Sequence, residues 1–274
     1  MQEAYKMRVL LVEGFENVDD PVLTEQQISK QLISLKEKII SEYVYVCFPL
    51  AYSINTRGLA ATQKIINDIC SQFTHEKLFF VCQHIQVCNL NFHNNLVFTP
   101  HATTLDPFQP IPHYSCNFDT SYSRPWEERE YHFSFMGDYN THTTRKRMYE
   151  ALKDYPKSIF VDTKKWHFYS DDKVKKINSK NYIELLGNTK YSLCPRGTGP
   201  STIRIWESMA MNSCPIILSD ILKMPLEMFI IEEIWKRRSE DCSNFNISEH
   251  PYDNKEYFDL FSNDNLYKSI SYYL

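Results

Sequence analysis

The sequence predicts an α/β protein built from two parallel-sheet halves. Two observations carry that expectation. Short apolar and aromatic runs alternate with longer segments of helical periodicity along the chain, and such alternation means parallel strands joined by helical crossovers. A stretch from Pro107 to Trp126 interrupts the alternation. It holds Pro107, Pro110, Pro112 and Pro125, shows no regular period, and reads as an interdomain linker. The expected domains are 1–125 and 126–274. A chain of 274 residues is long enough for two modest cores.

In chain order, Met7 to Glu13 reads as a strand, Glu25 to Ile40 as a helix, Tyr43 to Leu50 as a strand and Thr56 to Phe73 as a helix. Lys77 to His84 and Asn95 to Pro100 are two further strands. After the linker come a strand from His132 to Gly137, a helix from Thr141 to Tyr155, a strand from Ser158 to Asp162 and a helix from Asn181 to Leu186. A strand, glycine loop, helix and strand then follow within Tyr191 to Asp220. An acidic helix near Leu226 to Lys236 and a last helix within Tyr257 to Tyr273 complete the expectation. The last helix is a candidate to return to the first half.

Composition excludes several classes. Hydrophobic residues at 43% and charged residues at 23% are ordinary for a globular protein. A net charge of −4 gives no reason to expect a nucleic-acid partner. The basic run Lys173 to Lys176 adjoins Asp171 and Asp172 and reads as a solvated face. The first apolar run, Val9 to Val12, is too short to span a membrane and is followed by Glu13, so neither a span nor a signal peptide is expected. The eight cysteines are scattered, without a C-x-x-C pair, which favours a reducing compartment and argues against a zinc site.

Chemistry concentrates in Tyr191 to Asp220. Gly197 and Gly199 precede Ser201, a good helix N-cap residue. A helix opening at Ser201 would aim its free N–H groups, including those near Thr202, at the loop, a ready place for a phosphate or diphosphate. Arg204 would lie in the first turn beside that anion, and Glu207 three residues on along the same face. A fixed carboxylate there can accept hydrogen bonds from ribose hydroxyls, so the segment holds parts for a nucleotide or nucleotide sugar. The plain alternative is a packed helix with Arg204 and Glu207 as a surface ion pair. Trp206 and Ala210 fall at core spacing.

The same segment resembles the nucleotide-binding core of the exostosin-type glycosyltransferases. In that family a strand ending in C-L-x-P-x-G is followed by S-x-R-x-x-E and a strand of the type P-V-I-I-S-D. The corresponding segments here are Leu193 to Gly197 (LCPRG), Ser201 to Glu207 (STIRIWE) and Pro215 to Asp220 (PIILSD). Phe133 to Gly137 (FSFMG) is similar to the family's entry into its second domain, and Arg145 falls in the helix where the family often carries an arginine. The resemblance covers roughly residues 130–230, with a looser likeness at Phe79 to His84 and Asn95 to Pro100. The Leu-Cys-Pro order departs from the family pattern and leaves the role of Cys194 open.

The resemblance implies a GT-B-like fold, two Rossmann-like domains with parallel sheets facing a cleft. It implies an inverting glycosyltransferase that moves a sugar from a nucleoside-diphosphate sugar, a UDP-sugar first, to a glycan hydroxyl. No Asp-x-Asp stands anywhere in the chain, so a metal-independent route without cofactor is expected. Arg196, Arg204, Gly197, Gly199, Ser201 and Thr202 would hold the diphosphate, with Arg145 in support and Glu207 on the ribose. The base should come from the first half, at strand ends: Glu13, His84 or His101, with Asp106 and His113 as weaker options. Asp138 could touch donor or acceptor, and Tyr169 or Tyr182 could stack on the nucleobase. A cytoplasmic location is expected, or the Golgi lumen if the chain is part of a tethered protein. Two alternatives remain. One is a fucosyltransferase-like enzyme using a GDP-sugar, disfavoured because its basic residue usually stands directly before the Glu. The other is a non-catalytic module binding nucleotide or glycan.

Overall fold

Apolar runs set the strands, and the strands set two sheets. The computed structural model describes residues 6–12, 23–164, 172–225, 235–243, 245, 247, 252–253 and 259–274. The chain divides into two compact units. One takes in Met1–Tyr114, Leu222–Leu226 and Leu260–Leu274, and the other Ser115–Ile221 and Glu227–Asp259. The break thus falls at Tyr114–Ser115, where the sequence suggested residue 125.

The first unit is a five-stranded parallel sheet of β1 (Arg8–Leu11), β2 (Tyr43–Cys47), β3 (Lys77–Val81), β4 (Leu96–Thr99) and β5 (Gln109–Pro110), in that spatial order. Alternation along β2 and β3 divides the core. Tyr45 and Phe79 face α1 (Leu23–Leu35) through Ile28 and Leu32, and α6 (Leu266–Ser271) through Leu266 and Ile270. Val44, Val46, Leu78 and Phe80 face α2 (Leu50–Gln72) through Ile54, Ile66 and Ile69. Each such side chain, fully buried, contributes about 1.5–3 kcal/mol. The Gln31 amide ties α1 to the returning chain, donating to the Asn263 carbonyl at 2.7 Å and accepting from the Tyr267 N–H at 3.0 Å.

Three details differ from the sequence expectation. Helical structure begins at Leu50, not Thr56, because α2 is two helical segments joined at Gly58, whose φ of 81° and ψ of 169° only glycine adopts readily. Part of the expected linker is β5, paired parallel with β4, with Phe108 and Ile111 buried beside it. Glu13 lies outside the described residues, as do most of the expected helix near 226–236 and part of the last expected helix.

The second unit holds β6 (Tyr131–Gly137), α3 (Thr143–Leu152), β7 (Ser158–Asp162), α4 (Asp172–Gly187), β8 (Thr189–Pro195), α5 (Arg204–Ala210), β9 (Cys214–Leu218) and β10 (Lys236–Arg237). Its parallel order is β10-β9-β8-β6-β7. All of β9 is buried, as a central parallel strand should be. The order reverses between β6 and β8: the chain leaves β6 toward β7 and leaves β8 toward β9. The loops after β6 and β8 therefore diverge and open a crevice at the strand carboxyl ends, where α/β sheets bind ligands. Helix α4 starts at Asp172, well before the expected Asn181, because its first half keeps an exposed face of Lys173, Lys176 and Lys180 and carries little apolar period. With its two parallel five-stranded sheets, the chain is an α/β protein of the GT-B-like class. No disulfide joins any of the eight cysteines, all of which are among the described residues. Among the described residues no helix is long and apolar enough to cross a membrane.

Candidate functional site

The crevice in the second unit gathers two arginines around two glycines. Strand β6 ends at Gly137, and a Cβ there would lie 3.3 Å from Arg204 Nη2 and 3.5 Å from Arg145 Nη1. At Gly197, just past β8, a Cβ would approach Arg145 Nη2 to 2.9 Å. The absence of side chains at these two positions lets both guanidinium groups lie against the backbone.

Arg145 comes from α3. Its Nη1 donates to the Asp138 carbonyl at 2.8 Å and its Nε to the Arg196 carbonyl at 3.2 Å, so it bridges the two diverging loops. Arg204, at the start of α5, donates to the Met136 carbonyl. Both lie over the Phe135 ring, Arg204 at 4.5 Å and Arg145 at 5.4 Å, and Arg204 also faces Tyr182 at 5.1 Å. Burial, together with the neighbouring Arg204 charge, lowers the Arg145 pKa to about 10. Among the described residues neither guanidinium forms an ion pair with a carboxylate; their partners are carbonyls and rings. Two like charges held this close, with no carboxylate paired to them among the described residues, are an arrangement suited to an anion.

Glu207 is not a surface ion pair. It is 1% exposed, and its carboxylate points inward. Oε1 accepts from the Asn117 backbone N–H at 2.9 Å and from the Asn117 amide at 3.0 Å, while Oε2 accepts from the Tyr182 hydroxyl at 2.8 Å. Tyr182 thus joins Arg204 to Glu207, with its ring under the guanidinium and its hydroxyl on the carboxylate. It is buried there rather than free to stack on a base, and Tyr169 lies outside the described residues. Trp206 and Ala210 are buried, at core spacing as expected.

The N-cap expectation for Ser201 does not hold. Helix α5 begins at Arg204, its cap position is Ile203, and no side chain caps it. Ser201 is buried, and Thr202 serves through its carbonyl, which accepts from the Ile205 N–H at 3.2 Å in the turn that leads into the helix. With seven residues the helix has little dipole to offer, so the positive charge of the corner comes from side chains. Arg196 turns away toward Glu240, 3.5 Å from its Oε1, and Glu240 also accepts from the Asp220 N–H. Gly199 is buried in the same loop. Cys194 is buried under α5, where burial pushes its thiol up to about 12, so it packs as an inert side chain.

The base candidates belong to the first unit. His84 follows β3. Its Nδ1 accepts from the Gln86 N–H at 3.1 Å, so its neutral ring carries the proton on Nε2 and presents a donor outward. His101 follows β4 and is buried, its Nδ1 without a hydrogen-bond partner among the described residues. Burial, with His84 nearby, lowers its pKa to about 4. The His113 ring lies 5.1 Å from that of His101, edge-on, and burial holds it neutral as well. Asp106 organises its own turn, accepting from Thr103 N, Thr103 Oγ1 and Phe108 N. Asp138 caps a short turn through the Asn140 N–H at 2.8 Å and contributes its carbonyl to Arg145.

Sequence reasoning missed three features. Phe135, two residues before Gly137, is the platform for both arginines; the alternation of β6 put it on a buried face without marking it. Asn117, the partner of Glu207, stands in the segment read as linker. Glu25 is buried at the amino end of α1 and accepts from Gln83 N at 2.7 Å and Ala51 N at 3.1 Å, while the Gln83 side chain accepts from Thr24 N at 2.7 Å. This reciprocal clip fixes the strand end that carries His84, and only its first-turn position could have hinted at it.

Comparison with known proteins shows the family. The family model of the Exostosin GT47 domain matches residues 44–239. The chain is also similar to the Exostosin-1 homolog of Caenorhabditis elegans, 28% identical over 109 residues. That match takes in 36% of this chain and 28% of the nematode protein, so it reaches well under two thirds of that relative's length.

Proposed function

The chain belongs to the exostosin GT47 family, and from that premise we propose that it is an inverting glycosyltransferase using a nucleoside-diphosphate sugar, a UDP-sugar, with a glycan hydroxyl as acceptor. The observation that carries the reading is the Arg145–Arg204 pair, without a carboxylate partner among the described residues, at the point where β6 and β8 diverge. A diphosphate there accepts charge-assisted hydrogen bonds from both guanidinium groups. In the transfer, the acceptor oxygen bonds to the anomeric carbon as the bond to the diphosphate oxygen breaks. The electron pair leaves on the diphosphate, whose growing charge the two arginines stabilise. Neutralisation by side chains gives the reaction a route without a divalent metal. Gly197 and Gly199 let the phosphates approach the loop, and Ser201 and Thr202 line it. Arg196, paired with Glu240, is a lesser contact. The ribose hydroxyls replace the two Asn117 donors on Glu207 Oε1, an exchange of N–H for O–H donors on one carboxylate.

For the proton, His84 and His101 both stay candidates: His84 is half-buried but presents N–H in this tautomer, while the His101 Nδ1 is an acceptor closed off by burial. Glu13 stays a candidate on sequence position alone. A cytoplasmic location suits a chain whose scattered cysteines form no C-x-x-C pair.

Thermal unfolding with UDP, GDP and their sugars tests the reading, since a ligand of the native state raises its stability. UDP should raise the midpoint for the parent chain and not for Arg204→Ala, which should stay folded but lose transfer. A midpoint raised equally in both proteins refutes the assignment, and a response to GDP alone favours the fucosyltransferase-like alternative.

A further inference from the structure

A cavity in the same unit, which shares Met136 with the arginine corner, is built on a braced loop. Its volume is about 760 Å³, and it lies along α4, against Ile159 and Val161 of β7 and the 121–125 loop. The loop is fixed from beneath by Arg129, which is 4% exposed. That guanidinium donates to the Arg124 carbonyl at 2.9 Å, the Ser123 hydroxyl at 2.8 Å, the Met211 carbonyl at 2.9 Å and the Thr189 carbonyl at 2.7 Å. The Arg124 N–H donates to the Gly187 carbonyl at 3.0 Å. A Cβ at Gly187 would come within 2.2 Å of the Tyr122 carbonyl oxygen, so the loop lies directly on the end of α4. Asn188 and Glu130 brace the floor through two further hydrogen bonds.

The side chains presented on this frame are unengaged. Among the described residues the Arg124 guanidinium, the Asn181 amide and the Tyr122 and Tyr131 hydroxyls have no hydrogen-bond partner. The backbone that carries them is fixed, so a ligand need order only the side chains themselves. Their chemistry is mixed: two phenol rings with apolar faces, an amide, a guanidinium, and the carboxylate of Glu184, which offsets the guanidinium's charge. An apolar ligand would leave these polar groups unpaired. A phosphate-bearing ligand would find one cation opposed by one carboxylate. A sugar chain satisfies both faces, its C–H surfaces on the rings and its hydroxyls on Arg124, Asn181 and Glu184.

We propose that this groove is a second carbohydrate site, which holds a neutral stretch of glycan of about two or three sugar units, a fit for a cleft of this size. It goes beyond the transferase reading and requires only that the chain handles glycans. A glycan held there is kept at high effective concentration near the protein through successive encounters.

The test is titration calorimetry of the full chain with neutral hexasaccharides (cello-, xylo-, manno- and chitohexaose), with hexagalacturonate as the acidic comparator. At least one neutral hexasaccharide should bind with a dissociation constant of about 1 mM or tighter. Tyr122→Ala should weaken it at least about tenfold, whereas Tyr122→Phe, which keeps the ring, should retain binding within about threefold. Neither variant should alter the UDP-induced thermal shift, and Arg204→Ala should keep the sugar binding. Overturning results are no neutral hexasaccharide bound, acidic binding only, binding indifferent to Tyr122→Ala, or binding lost with Arg204→Ala. Failure of UDP to bind would sink the transferase reading and leave this site standing on its own titration.

Discussion

Adding one methyl group at Gly197 separates the proposed anion site from the fold. The new Cβ would lie 2.9 Å from Arg145 Nη2, where ordinary contact begins at 3.4 Å. The guanidinium must therefore move by about 0.5 Å or more. The Arg145 bond to the Arg196 carbonyl is already 3.2 Å long, and such a shift takes it past hydrogen-bonding range, while the 2.8 Å bond to Asp138 turns with it. Because the obstructing atom is the far end of a flexible side chain, the fold adapts, and the cost in stability should stay below about 1 kcal/mol. The donor site should lose more. One charged hydrogen bond is worth about 1.5–3 kcal/mol, so UDP affinity should fall about 10- to 150-fold. Calorimetric titration with UDP, beside denaturant unfolding of the same samples, reads both quantities. UDP affinity within twofold of the parent, or a stability loss as large as the binding loss, would refute the reasoning.

Three further outcomes are expected. Glu25→Ala leaves the buried Ala51 N–H and the part-buried Gln83 N–H without their acceptor; at about 1–3 kcal/mol each, urea unfolding should show a loss of about 2–6 kcal/mol. Gly58→Ala places a side chain in a conformation reserved for glycine, although nothing lies within 4 Å of the new atom. It should cost about 1–3 kcal/mol from backbone strain alone, and Gly58→Asn, also disfavoured at that ψ, should not recover it. His101 has a folded pKa lowered to about 4 from 6.5. Between those values the unfolded chain holds the proton and the folded one does not, so this group's stability is complete above pH 6.5 and is lost as pH falls toward 4. Its slope is about 1.4 kcal/mol per pH unit, and His101→Gln should flatten the measured stability–pH profile by that amount across the window.

Much of this was legible because strands in parallel sheets announce themselves. Leu78 to Val81 and Cys214 to Leu218 are continuous apolar runs, and both are buried strands. Arg204 and Glu207 stood out by spacing, yet their relation did not. Sequence placed them on one helix face, whereas the fold sends Arg204 to Met136 and Glu207 to Asn117 and Tyr182. Those partners lie 68, 90 and 25 residues away, and no local period encodes such distances. Ser201 carried a sound N-cap signal, but Ile203 has helical φ and ψ with no side-chain cap, so the turn from Thr202 set the start of α5 instead. The charged first half of α4 hid a helix whose solvated face outweighed its apolar one, and Gly58 hid the early start of α2.

The most direct measurement is a crystal structure of the full chain grown with UDP. The account predicts the β-phosphate between Arg145 and Arg204, against the backbone of Gly137 and Gly197, with the ribose on Glu207 and Asn117 displaced from Oε1. A nucleotide seated elsewhere, with both arginines still on their carbonyls and Asn117 still on Glu207, would contradict it.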